Sequence, residues 1–239
     1  MLILLSLPFL GSSQAFFIGL IFIGLGGWLI YSWSQKPSDQ RVDQWVEESL
    51  KKIRTKALAK SGLDESEVVA DTVVVYGPRF WNVGGAEVGV KKGADGVIRF
   101  MPLGVTVINF TQNQLAAYQC ALDLMTDNAL SESTDEYFYR DVVSVATQSK
   151  SLTWDRAAIP SALVKGPLKG LISHGKLQLN AAETFVLTTS GGTSIEVVLQ
   201  DPQLIKSAGG GSIPTQMAEK AVQAVRKMLR EKKAAAAAG

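Results

Sequence analysis

The sequence predicts one N-terminal transmembrane helix followed by an α+β domain, on three observations. No charged residue occurs from Met1 to Gln35. After Gly62 the hydrophobic pattern turns to short alternating runs separated by turn residues. From Thr215 to about Lys233 the apolar residues return to helical spacing in one stripe.

The first observation concerns a stretch from Ala15 to Trp33 rich in Phe, Ile and Leu, with Trp28, Tyr31 and Trp33 near its end. A spanning helix needs about 20 apolar residues and favours aromatic side chains at the interface. Lys36, Arg41, Lys51, Lys52, Arg54, Lys56 and Lys60 follow it, and no basic side chain precedes it. The positive-inside rule then puts the C-terminal side in the cytoplasm. A secretory signal peptide is the competing reading, with Ser13-Gln14-Ala15 as its cleavage site. The missing basic n-region and the second apolar run argue against it. Thirty-five helical residues would reach about 50 Å against a hydrocarbon core of about 30 Å, so Pro8 and Gly11-Ser12-Ser13 are expected to break the run. Met1–Leu10 is either an interfacial arm or packed inside the membrane. Gly11, Ala15, Gly19 and Gly27 form a small-residue ridge suited to close helix packing, although glycine is common in membrane helices anyway.

Lys36 to Gly62 reads as a juxtamembrane amphipathic helix. Ser38 can cap it and Asp39 suits its positive end. Val42, Trp45, Val46, Leu50, Ile53, Ala57 and Leu58 form one apolar face. That face packs on the following domain, forms a short coiled coil, or lies on an anionic leaflet.

The domain is expected over residues 63–233. Strands are predicted at Thr72–Tyr76, Glu87–Lys91, Val97–Phe110, Leu115–Met125, Tyr137–Thr147, Lys176–Thr188 and Ser194–Leu199. Ala94-Asp95-Gly96 and Ser190-Gly191-Gly192 supply hairpin turns. Leu115–Met125 also fits a helix. Gly209-Gly210-Gly211 leads to Pro214 in the first turn of the last helix. Residues 234–239 read as a low-complexity tail or linker.

Two of those runs, Tyr137-Phe138-Tyr139-Arg140-Asp141-Val142-Val143-Ser144-Val145 and Phe185-Val186-Leu187-Thr188 with its Gly191-Gly192 turn and Ile195-Glu196-Val197, precede the helix Ala218 to Arg230. Seven strands and then one amphipathic helix resemble the bacterial pleckstrin-homology-like (PH-like) domain, over roughly Val68–Lys233. The resemblance implies an antiparallel β-barrel or sandwich closed by the C-terminal helix, and a binding or assembly role. It implies no ligand residues, and Ser149–Gly175 departs from it. With the anchor, it implies a single-pass protein of the bacterial inner (plasma) membrane with a cytoplasmic domain.

Chemistry-bearing residues are few. The chain has 24 basic and 22 acidic residues and a net charge of +2, too balanced for a nucleic-acid partner. Cys120 is the one cysteine, so no intrachain disulfide forms, and His174 is the one histidine. These counts exclude most Cys/His zinc sites. No phosphate-binding loop or nucleophile elbow is present. The acidic pairs Glu47-Glu48, Asp64-Glu65 and Asp135-Glu136 read as solvated, and Asp135-Glu136 is a poor acid/base pair because neighbours on a strand point to opposite faces. Asp141 reads as a buried or edge charge. No catalytic, cofactor or metal residue is expected.

The segment Ser149–Gly175 mixes Trp154 and aliphatic residues with Arg156, Lys165 and Lys169. A loop this long is often functional. It covers a sheet edge, docks a protein partner, or touches anionic lipid. The expectation is a non-enzymatic, membrane-anchored scaffold that forms a homo-oligomer or joins a membrane complex. Lipid sensing, or a hydrolase or transferase with an unrecognised carboxylate site, is the alternative.

Overall fold

The computed structural model describes residues 21–28, 37–165 and 168–238. It divides into two compact units, residues 1–43 and 44–239. In the first, residues 21–28 are helical, and the Ser38 hydroxyl accepts the Arg41 N–H at 3.3 Å where helix α1 begins. Helix α1 covers Asp39–Lys60. Gly62 closes it in the left-handed region (φ 63°), with Leu63 N–H donating to the Leu58 carbonyl, a glycine C-cap.

Among its described residues the second unit holds ten strands: β1 Val73–Pro78, β2 Gly89–Lys92, β3 Ile98–Met101, β4 Leu103–Phe110, β5 Gln114–Asp123, β6 Asn128–Phe138, β7 Val142–Asp155, β8 Ile172–Ser173, β9 Lys176–Thr189 and β10 Ser194–Gln200. Its helices beyond α1 are α2 Ser161–Lys165, α3 Pro202–Ser207 and α4 Gln216–Ala238. One antiparallel sheet runs β1-β4-β5-β6, and a second runs β10-β9-β7, with β8 beside β9. Strands β2 and β3 form a separate hairpin.

Strand β4 is buried at every position because the first sheet is covered on both faces. Val105 and Val107 join Tyr118, Cys120 and Leu122 of β5 in one cluster with Leu50, Ile53 and Ala57 of α1. Ile108, Phe110, Leu115 and Ala117 face the other way, among Phe185, Leu187, Ile195 and Val197 of the second sheet and Ala218, Ala221, Val222 and Val225 of α4. Alternation sends successive side chains to opposite sides, and here both sides are apolar, so β4 reads as a continuous hydrophobic run.

Two close approaches fix the loops around this core. A Cβ on Gly77 would run into the Val198 carbonyl oxygen where β1 meets β10, and one on Gly211 into the Gly96 carbonyl oxygen. The glycine run thus seats the link before α4 on the β2–β3 turn. Asp201, fully buried, accepts the N–H groups of Gln203, Leu204 and Ala181 and so caps α3.

Several expectations are corrected. Among the described residues no helix is long and apolar enough to cross a membrane. Residues 21–28 would span only about 12 Å, and α1 and α4 carry charges along their length. Most of the expected span, with Gly11, Ala15 and Gly19, lies outside the described residues. The absence of such a helix among the described residues corrects the expected transmembrane fold class, single-span membrane partner and inner-membrane location. The barrel is corrected as well: the two sheets stay separate. Strands β6 and β7 are divided by a 3-10 turn at Tyr139–Asp141, and β1 touches β10 without a ladder.

Element boundaries shift for local reasons. The expected strand Val97–Phe110 breaks at Pro102, which has no N–H for a ladder. The expected strand Tyr137–Thr147 divides into the end of β6 and the start of β7. The ambiguous run Leu115–Met125 is strand through Asp123 rather than helix, and Leu124 and Met125 belong to the turn that follows. Helix α4 continues through Ala238 rather than ending near Lys233.

Candidate functional site

Among the described residues β1 and β10 end their sheets against each other, the β2–β3 hairpin and the two-residue β8 are short edges, and β6 and β7 are the long strands with an open side. An open edge presents a row of unpaired N–H and C=O groups, which is a template for another strand. The two edges are finished differently.

Strand β7 is fourteen residues long and pairs only with β9. Helix α4 lies against its first half. The apolar stripe of α4 is buried in the core, which turns Gln223, Arg226 and Arg230 outward. Between them and Val142–Ala146 runs a groove lined also by Leu229 and Lys233. Val143 is 62% exposed there. The Arg226 Nε donates to the Val145 carbonyl at 3.0 Å and the Lys233 Nζ to the Val142 carbonyl at 2.8 Å. Side chains of α4 thus stand where the N–H groups of a neighbouring strand would stand. The rim is cationic, and among the described residues Arg226, Arg230 and Lys233 form no ion pair.

Strand β6 is exposed along most of its eleven residues. It runs Asn128-Ala-Leu-Ser-Glu-Ser-Thr-Asp-Glu-Tyr-Phe138, with Asp135 and Glu136 near its end. The Gln114 side chain donates to Glu136 at 2.7 Å. Glu132 is taken up elsewhere: it accepts Lys56 of α1 at 2.9 Å and the Tyr118 hydroxyl at 2.8 Å. The Lys56 hydrogen bond holds the Glu132 carboxyl below its usual range. Lys52 does the same for Asp127. This polar seam ties α1 to the first sheet. Beneath it Cys120 has no exposed surface, and burial pushes its thiol up to about 11.

The residues singled out in the sequence fall elsewhere. Trp154 is half-buried and stacked on Trp81, ring centroids 4.2 Å apart. It lies at the far end of β7 and is not an exposed anchor. Arg156, Lys165 and Lys169 are exposed, on a segment whose Ile159, Leu163 and Leu168 are buried in the core. That segment is not one long loop: β7 continues through Asp155, and α2, two 3-10 turns and β8 follow. None of the four lines the β7–α4 groove. A Cβ on Gly27 would meet nothing within 4 Å. His174 is exposed at φ 50°, its Nδ1 2.8 Å from the Ser173 hydroxyl. Asp141 lies 3.9 Å from Arg140, both exposed or nearly so. Glu67 accepts the Asp64 N–H in a cap.

Sequence reading missed β6 and the pairing of Arg226 and Lys233 with β7. The basic cluster at the end of α4 was a visible signal; the strand it serves was not. Among the described residues no group of three or more His, Cys, Asp or Glu side chains could hold a metal ion. Comparison with protein-family models, with curated proteins and with solved structures finds no match to this chain.

Proposed function

We propose that this chain is a non-catalytic assembly module that takes a protein partner by adding an extended segment to the open edge of β7 beside α4. The observation that carries this reading is the occupation of the Val142 and Val145 carbonyls by Lys233 and Arg226. An incoming strand replaces those two donors with its own backbone N–H groups. The released cations then meet acidic side chains on the incomer. Main-chain hydrogen bonds supply affinity in strand addition, and side-chain pockets supply selectivity. Complementary charge raises the association rate and rejects basic segments. Val143 offers an apolar contact at the floor.

The test uses a synthetic peptide of about ten residues alternating valine and threonine with glutamate, the length of a long strand. Binding is read by fluorescence anisotropy and by amide hydrogen exchange. The expected result is new protection in residues 143–149 and affinity at least about tenfold weaker in Arg226→Glu/Arg230→Glu. Thr147→Pro gives a second reading. Val145 turns its carbonyl to the open side, so Thr147, two residues on, turns its N–H there too. A proline there removes that donor while sparing the ladder to β9. Protection elsewhere, or affinity indifferent to both variants, overturns the proposal.

A further inference from the structure

Strand β6 has the complementary properties. It is the other long open edge, it is exposed, and it carries Asp135 and Glu136 near its end, whereas the β7 edge is rimmed by Arg226, Arg230 and Lys233. We infer that the segment received by β7 is β6 of a second copy of this chain, so that copies join head to tail through a continuous sheet. This rests on the strand-addition reading above and names its occupant.

Three features select this pairing. The regular stretches fit, since Ser133–Phe138 of β6, beyond its bulge at Ser131, can lie along Ser144–Lys150 of β7, between that strand's two register shifts. The pairing is not met within one copy, where the 3-10 turn at Tyr139–Asp141 sends the two strands into different sheets. The symmetric alternatives are disfavoured by charge. A β6–β6 contact sets acidic side chains of paired strands against each other, which is destabilising, and a β7–β7 contact brings together the cationic rims of two α4 helices, which repel. Of these three contacts the heterologous one alone matches acid to base. The middle of β6, Ser131-Glu132-Ser133-Thr134, offers no apolar row, so backbone pairing and charge hold the contact. It is therefore reversible and salt-sensitive. Each copy keeps one free acidic edge and one free basic edge, and such an interface closes into a ring or continues as a filament.

The experiment follows sedimentation of the full chain over a concentration series. A non-ionic detergent keeps the uncharged run Met1–Gln35 from driving association itself. The wild type is expected to self-associate at low salt and to dissociate as salt rises from about 0.05 M to about 0.5 M. Asp135→Lys/Glu136→Lys makes both edges basic, and Arg226→Glu/Arg230→Glu makes both acidic. Each variant alone is expected to associate at least about tenfold more weakly. Mixed in equal amounts they are expected to assemble again, alternating in the array. Circular dichroism melting confirms that each variant is folded. A wild type that stays monomeric at low salt overturns the inference. So does association unchanged by salt and by both reversals, or a mixture no more associated than its parts. If the chain is monomeric yet the acidic peptide protects residues 143–149, the second copy falls and strand addition stands. If the peptide also fails, both fall.

Discussion

Cys120 gives a direct readout of how firmly α1 is held on the first sheet. Its thiol has no exposed surface and shares a cluster with Ile53, 3% exposed, and Ala57, which is fully buried. A thiol reagent can reach it only when α1 lifts. Ile53→Ala removes apolar contact from the α1 side of that cluster. Buried isoleucine-to-alanine changes cost about 2–5 kcal/mol. The lower part of that range applies here, because a helix lying on a sheet can settle into the gap; about 2–3 kcal/mol is expected. At about 1.4 kcal/mol per tenfold, labelling of Cys120 should accelerate by roughly 30- to 140-fold. The assay is absorbance-detected reaction with an aromatic disulfide in native buffer and in low urea. Lys51→Ala, on the exposed face of α1, is the control and should change the rate by less than about twofold. The reasoning fails if the wild-type thiol reacts as fast as a free one, or if Ile53→Ala leaves the rate unchanged. A urea dependence as steep as that of complete unfolding would also refute it, since global opening rather than α1 would then expose the thiol.

Gly77→Ala should lower the urea midpoint by the equivalent of about 3 kcal/mol or more, because the new methyl meets the Val198 backbone oxygen and backbone cannot swing aside. Asp201→Ala should cost about 2–4 kcal/mol, combining a lost cap with N–H groups left unsatisfied, while Asp201→Asn keeps an acceptor and should cost less than half as much. Equal losses in the two variants would contradict that account. Glu132 has a folded pKa held below its ordinary value by Lys56. Its contribution is therefore complete above the unfolded pKa of about 4.3 and is lost as pH falls through the folded value. Lys56→Met should shift the acid-unfolding midpoint upward, as followed by near-UV circular dichroism; an unchanged midpoint would show that the pair does not help hold α1.

The core was legible wherever one period dominated. The α4 stripe, the β9–β10 hairpin with its glycine turn, and the capped start of α1 all show a single repeat that packing then uses. Strand β5 was ambiguous because both its faces are apolar: Leu115 and Ala117 face one cluster, Tyr118 and Cys120 the other. A strand buried on both sides loses the alternation that distinguishes it from a helix. Strand β6 failed for the opposite reason. With both faces largely solvated, its side chains carry no apolar period, and only pairing with β5 makes it a strand. The candidate site was half legible. The basic end of α4 stood out, but its target is a pair of backbone carbonyls, and those have no signature in the side-chain sequence. Trp154 looked like an anchor because its partner, Trp81, lies 73 residues away in the chain and meets it only after folding.

The double covering of the first sheet bears on how this protein can change over time. With α1 on one face and the second sheet and α4 on the other, nearly every side chain of β4 and β5 answers to packed neighbours on one face or the other. Mutations there must be compensated in pairs and accumulate slowly. The margins β6 and β7 answer mainly to water. Their side chains can drift by single steps without disturbing the interior, so new recognition properties can arise at the rim while the layered centre is conserved.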